Sequence, residues 1–154
     1  MTEMPEALPS RDPWHATIAD VVPAVVNIFS CTTSDFGRWD AGACQATGMV
    51  VSTEHGLILT NRHVVAEEST QSYAVFETGA RECPITSCYV DSIHDFAICK
   101  YDVTDLKNFN VKQIELKSEL AEIDLKIRVF NNDKRKVLSI LLDVISRLNY
   151  NPIL

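Results

Sequence analysis

Short apolar runs, each closed by polar or turn-forming residues, recur about every ten residues along the chain, a spacing that predicts short β-strands packed as a barrel or sandwich. Trp14–Val22 has the pattern of a short helix, and Pro23 stops it because its ring cannot continue helical hydrogen bonding. Ala24–Ser30 is apolar and β-branched, hence a strand, and Thr32–Cys44 is rich in Ser, Thr, Asp and Gly, hence a loop. Gln45–Ser52 and Leu57–Thr60 predict two strands joined by a turn at Thr53–Gly56. Ser72–Phe76 and Cys83–Val90 alternate, Asp95–Tyr101 is a further apolar run, and Lys112–Leu116 and Leu125–Phe130 follow as strands. Lys136–Asn149 stays open. Val137, Ile140, Leu141, Val144, Ile145 and Leu148 recur at helical spacing, yet the same stretch suits two short strands, Leu138–Leu141 and Val144–Leu148. Met1–Pro13 is polar, holds three of the six prolines and reads as a mobile arm.

Composition adds limits. At 154 residues, with 46% hydrophobic and 23% charged residues, the chain suits one globular domain or a piece of a larger one. Apolar stretches such as Val21–Phe29 are too short to cross a bilayer, so no membrane span is expected. Met1–Ser10 carries Glu3 and Glu6 without an apolar centre, unlike a secretory signal. The net charge of −7 argues against binding driven by nucleic-acid phosphates. The charge is uneven: residues 1–99 carry 4 basic against 13 acidic side chains, and residues 100–154 carry 10 against 8. Lys134–Arg135–Lys136 is a basic cluster that reads first as a solvated turn and second as a nuclear address.

The five cysteines, Cys31, Cys44, Cys83, Cys88 and Cys99, form an odd set that points to reduced thiols in a cytosolic or nuclear compartment. Cys83, Cys88 and His94 loosely resemble a metal site but match no standard zinc spacing, and Cys99 in its apolar run reads as a core thiol.

Two segments carry candidate chemistry. In Leu57–Val65 a buried strand ends at Thr60, the chain turns, and His63 starts a helical turn backed by an apolar pair, a rigid setting for a general base. In Asp91–Lys100 an acid, Asp95, stands just before an apolar strand, where a carboxylate needs a partner and an imidazole N–H would serve. Taken singly, such a histidine reads as a structural residue and such an aspartate as a turn or cap residue. Together, and in this order, they are far more specific.

These segments, "ATGMVV" at 46–51, "GLILTNRHVV" at 56–65 and "HDFAI" at 94–98, resemble the chymotrypsin-fold HtrA proteases, most closely the nuclear, multi-PDZ HtrA-like serine proteases of fungi. "VVPAVVNI" at 21–28, "IRVFNND" at 127–133 and "LSI" at 138–140 extend the resemblance over about Trp14 to Tyr150. The resemblance implies a mainly β fold: a chymotrypsin-like first barrel at about 20–105, an incomplete second barrel at about 106–154, and a flexible arm at 1–13. It implies His63 as general base and Asp95 as its orienting acid, with Asp91 and His94 beside them in no assigned catalytic role. It further implies an ATP-independent serine endopeptidase acting on unfolded or pro-survival protein substrates, without metal or organic cofactor, able to form homo- or hetero-oligomers. It implies residence in the nucleus, the cytoplasm being the alternative.

The sequence also departs from that pattern. The nucleophile of such proteases lies in a Gly-x-Ser-Gly loop, and none of the eleven serines here stands in one. All five glycines, Gly37, Gly42, Gly48, Gly56 and Gly79, precede residue 80, so the tight turn of an oxyanion hole has no candidate after it. The expectation is the first part of a protease domain, catalytically incomplete because the triad has His and Asp without Ser. The alternative is a non-catalytic binding fragment that associates with intact relatives through an exposed strand edge.

Overall fold

The computed structural model describes residues 14–32, 43–65, 70–76, 81–133 and 137–148. The expected arm at 1–13, most of the Thr32–Cys44 loop and the basic cluster Lys134–Arg135–Lys136 lie outside these residues. Helix α1 (Trp14–Val21) runs into a 3-10 turn at Val22–Ala24, with Pro23 in its first positions. The turn has no need of the missing proline N–H there, and Val25 leaves it extended.

Six strands follow: β1 (Val25–Thr32), β2 (Ala43–Ser52), β3 (Leu57–Thr60), β4 (Thr70–Phe76), β5 (Arg81–Val90) and β6 (Ala97–Tyr101). They pair antiparallel in the order β1-β2-β3-β6-β5-β4 and close into a barrel, because β1 pairs with both β2 and β4. At the closing seam Ser30 faces Ser72, and their hydroxyls lie 2.7 Å apart. The mainly β architecture with a short N-terminal helix is therefore as the sequence predicts.

Alternate residues of each strand point inward. Val26 and Ile28 from β1, Val50 from β2, Ile58 from β3, Ala74 and Phe76 from β4, Cys83 and Ile85 from β5, and Cys99 and Tyr101 from β6 fill the interior. Burying a side chain the size of Ile58 or Phe76 contributes about 1.5–3 kcal/mol. Gly48 sits among them because a Cβ there would lie 2.8 Å from both Ile28 Cδ1 and Ile58 Cγ2. Gly56 turns the chain from β2 into β3 at φ 67°, and its carbonyl accepts the Tyr101 N–H at 2.9 Å.

Beyond β6 the side chain of Asp102 caps a 3-10 turn at Val103–Leu106 by accepting the Thr104 N–H at 2.9 Å, and Leu106 joins the core. The expected strand at Lys112–Leu116 is an irregular extended connection instead. Ile114 donates its N–H to Val50 O at 2.8 Å, and the Lys112 N–H reaches Pro23 O at 3.4 Å, but the segment pairs with no strand among the described residues.

β7 (Lys126–Asp133) and β8 (Val137–Val144) form a two-stranded antiparallel ribbon. This overturns both the helical reading of Lys136–Asn149 and its division into two strands. One continuous strand runs through Leu142 and Asp143, which pair with Arg128 and Ile127. The Arg128 guanidinium lies over the Trp14 ring at 4.9 Å, tying α1 to the ribbon. Leu141, Leu142, Val144 and Val129 of the ribbon remain exposed. No helix among the described residues is long and apolar enough to cross a membrane.

Candidate active site

The last rung between β3 and β6 pairs Thr60 with Ala97. Three residues beyond Thr60 comes His63, and two residues before Ala97 comes Asp95, so one end of the barrel receives both. Helix α2 (Arg62–Val65) is a single turn directly after β3. Its Val64 and Val65 are buried in the barrel core, which leaves Arg62 and His63 directed away from it. The apolar pair behind His63 thus has the anchoring role expected of it.

His63 meets Asp95 twice. Its ring Nδ1 lies 2.7 Å from Oδ2, and its backbone N–H donates to Oδ1 at 3.0 Å. Asn61 completes the grip, since its side-chain amide donates to Asp95 Oδ2 and to the Asp95 backbone oxygen, each at 3.2 Å. These donors hold the Asp95 carboxyl below its ordinary value of 3.8, led by the His63 backbone N–H and opposed by desolvation. Asp95 is therefore ionised at neutral pH and acts only as acceptor. Nδ1 then carries the ring proton, and the Nε2 lone pair is left to take a proton from another group. The dyad is open to water, with side-chain exposures of 66% for His63 and 45% for Asp95, so its Coulomb attraction is strongly screened.

The segment before Asp95 is built around Asp91. Its Oδ1 accepts the N–H groups of Ile93 at 2.9 Å and His94 at 2.5 Å, and lies 3.0 Å from His94 Nδ1. The Tyr89 hydroxyl donates to Oδ2 at 3.0 Å. These bonds, the His94 and Ile93 N–H groups first, pull the Asp91 carboxyl down to about 2. Backbone bonds from Asp91 N–H to Phe96 O and from Phe96 N–H to His94 O close the loop. Arg62 Nη1 donates across to Asp91 O at 3.3 Å and Ser92 O at 3.0 Å.

Sequence reasoning named His63, Asp95, Asp91 and His94, and all four stand at this end of the barrel. It missed Asn61 and Arg62. Both lie within the "TNRHVV" run, but their partners are roughly 30 residues away and no local pattern gives them. The thiols part company. Cys83 and Cys99 are buried inside the barrel, whereas Cys31 and Cys88 are exposed, and the Cys88 thiol donates to Ile98 O. Among the described residues no group of three or more His, Cys, Asp or Glu side chains is placed to hold a metal ion.

Residues 46–150 match the model of the trypsin-like peptidase domain. The chain is 45% identical over 138 residues to the pro-apoptotic serine protease NMA111 of Vanderwaltozyma polyspora, covering 90% of this chain and 14% of the relative. It is 43% identical over the same length to the protein of that name from Yarrowia lipolytica, again over 14% of the relative. The chain thus spans about one seventh of the length of the curated relatives it matches. Among solved structures, the HtrA-type protease AlgW with a tripeptide superposes with a TM-score of 0.71 at 20% identity, over 91% of this chain and 42% of that one. The serine endoprotease of Yersinia pestis gives 0.69 at 22% identity, over 90% and 46%. At these identities the structures show a shared fold.

Proposed function

This chain belongs to the trypsin-like peptidase family, and on that premise we propose that it carries the general base, His63, and the orienting acid, Asp95, of an HtrA-like serine endopeptidase acting on protein substrates. The observation that supports this most directly is the double contact between His63 and one carboxylate, which sets the Nδ1–H tautomer and frees Nε2. In such a mechanism Nε2 takes the proton of an attacking serine hydroxyl and later delivers it to the leaving amine, while Asp95 stabilises the imidazolium between the two steps. The 154 residues contain no Gly-x-Ser-Gly segment, so on their own they are a catalytically incomplete unit. Residues 20–105 form the first barrel of the domain in this reading, and residues 106–154, with the β7–β8 ribbon, belong to the second. Nuclear residence belongs to the same proposal and rests on the resemblance of the sequence motifs, and a fluorescent fusion confined to the cytoplasm would refute it.

A graft tests the dyad. Residues 1–150 are joined to the remaining protease segment of the Vanderwaltozyma relative, and the product is treated with a fluorophosphonate probe. The graft should be labelled, labelling should be lost on His63→Ala, and the 154-residue chain alone should stay unlabelled. Equal labelling of the His63→Ala graft would overturn the role of His63. Stoichiometric labelling of the chain alone would overturn its incompleteness.

The exposed Leu141, Leu142 and Val144 on β8, whose outer edge has no strand beside it among the described residues, favour a second role. In it the ribbon associates with an intact relative, and the chain acts as a non-catalytic binding partner. Co-purification with a full-length relative, abolished by Leu141→Lys together with Leu142→Lys, is the expected outcome. No association of the two purified proteins would sink this role.

A further inference from the structure

Three consecutive residues, Asn61, Arg62 and His63, all reach the same loop, yet they do not do the same work. Asn61 and His63 touch Asp95 itself. Arg62 does not. Its Nη1 spans two successive backbone oxygens, those of Asp91 and Ser92, at the other end of the loop. From this geometry we infer that Arg62 is a positioning residue for the dyad: by pinning the start of the 91–95 loop to helix α2, it sets how closely Asp95 approaches His63.

The other ties between the 61–63 segment and the loop run from Asn61 and His63 to Asp95. Within itself it is organised by Asp91, which gathers the N–H groups of Ile93 and His94, the His94 ring and the Tyr89 hydroxyl. Those bonds give the loop its shape but do not place it against His63. At its far end Asp95 runs into β6, whose pairing with β3 fixes Ala97. The Asp91 end is tied to the barrel as well, since Val90 of β5 pairs with Ala97 of β6 and the Asp91 N–H donates to Phe96 O at 3.1 Å. The Arg62 contacts tie this closed loop to α2 on its Asp91–Ser92 side, opposite the Asp95 side that Asn61 and His63 hold. The charged and titratable side chains of these two segments are Arg62 and His63 on α2, and Asp91, His94 and Asp95 on the loop. Arginine suits the task because its charge persists at every working pH and a charged donor makes the stronger bond to a carbonyl.

The inference rests on the His63–Asp95 reading and is tested apart from it by nuclear magnetic resonance on the intact chain. Ring ¹⁵N shifts report the His63 tautomer, and carboxyl ¹³C shifts report the titration of Asp95. In Arg62→Met, which keeps the length of the stem and removes the donors, the Nδ1–H tautomer of His63 should lose its dominance. The Asp95 titration should move up towards 3.8. Arg62→Lys, which restores one cationic donor, should recover most of both signals. Barrel amide shifts, such as those of Ile28 and Ile58, should stay in place in both variants. If Arg62→Met disturbs those amides, Arg62→Gln is read in its place. The reference variant is Asp95→Asn. If Asp95→Asn leaves the His63 tautomer unchanged, the dyad reading itself fails. If Asp95→Asn shifts the tautomer and the Arg62 variants do not, only the role of Arg62 is overturned.

Discussion

Thr60 and Ala97 face each other across the final rung of β3 and β6, and that single pairing decides that His63 and Asp95 meet. A slip of one residue in this register would turn the inward side chains of β6 outward and carry Asp95 away from the helical turn. The pairing also fixes the side of the barrel on which chemistry is expected.

Replacing Asp95 by Asn should remove the preference for the Nδ1–H tautomer of His63, because an amide can present either a donor or an acceptor to the ring. In a graft that has regained a serine, hydrolysis should fall by about 10⁴-fold, the loss known for this change in a complete triad. Steady-state peptide hydrolysis checks the second outcome. A loss under tenfold would show that Asp95 does not orient the base.

Asp91 makes a pH-dependent contribution to stability. Its carboxyl is held at about 2 in the folded chain against an ordinary 3.8, so the folded state binds the proton less readily than the unfolded one. The stabilisation is complete above the unfolded value and disappears as pH falls through the folded one. Melting temperatures of the wild type and Asp91→Asn should differ by a constant amount above about pH 5, and the gap should narrow between about pH 4 and pH 2. A gap that widens on acidification would contradict this assignment.

Gly48→Ala should destabilise the barrel although the backbone there needs no positive φ. The new methyl would press on Ile28 and Ile58, at 2.8 Å each, and on Val26 at 3.2 Å. Overpacking of this kind costs about 1–3 kcal/mol, readable by urea unfolding at an unchanged slope. A variant as stable as the wild type would mean that the barrel wall yields more readily than its packing indicates.

The cysteines should divide by reactivity. Burial pushes the Cys99 thiol up to about 11 and raises that of Cys83, so neither forms much thiolate at neutral pH. Iodoacetamide treatment of the native protein, read by peptide mass spectrometry, should modify Cys31 and Cys88 and spare Cys83 and Cys99 until denaturant is added. Early modification of Cys99 would indicate that the barrel opens locally.

The parts of this structure that were legible in the sequence are those decided locally. Pro23 ends α1, the apolar run Leu57–Thr60 is β3, and a turn carries the chain between β2 and β3 through Gly56. The His–Asp pair was legible because each residue stands next to a buried strand. The misreadings have distant causes. Val137, Ile140, Leu141 and Val144 recur at three- and four-residue intervals, as helical residues would, but β7 supplies a ladder that a local period cannot reveal. Lys112–Leu116 alternates like a strand, yet Leu116 is exposed, and scattered backbone bonds and the side chains of Lys112 and Gln113 hold the segment in place of a ladder. Asn61 and Arg62 stayed unread for the same reason, since polar side chains take their meaning from what the fold brings opposite them.

Because β1 pairs on both sides, the barrel is a circuit without a loose end, while among the described residues the ribbon's two strands pair only with each other. Prising apart any one seam of a ring leaves the other five ladders to restore it. Backbone amides of Ile28, Val50 and Ile58 should therefore keep their protons against deuterium until the whole barrel melts, and those of β7 and β8 should trade theirs much sooner. His63 and Asp95 are seated at the rim of that closed ring.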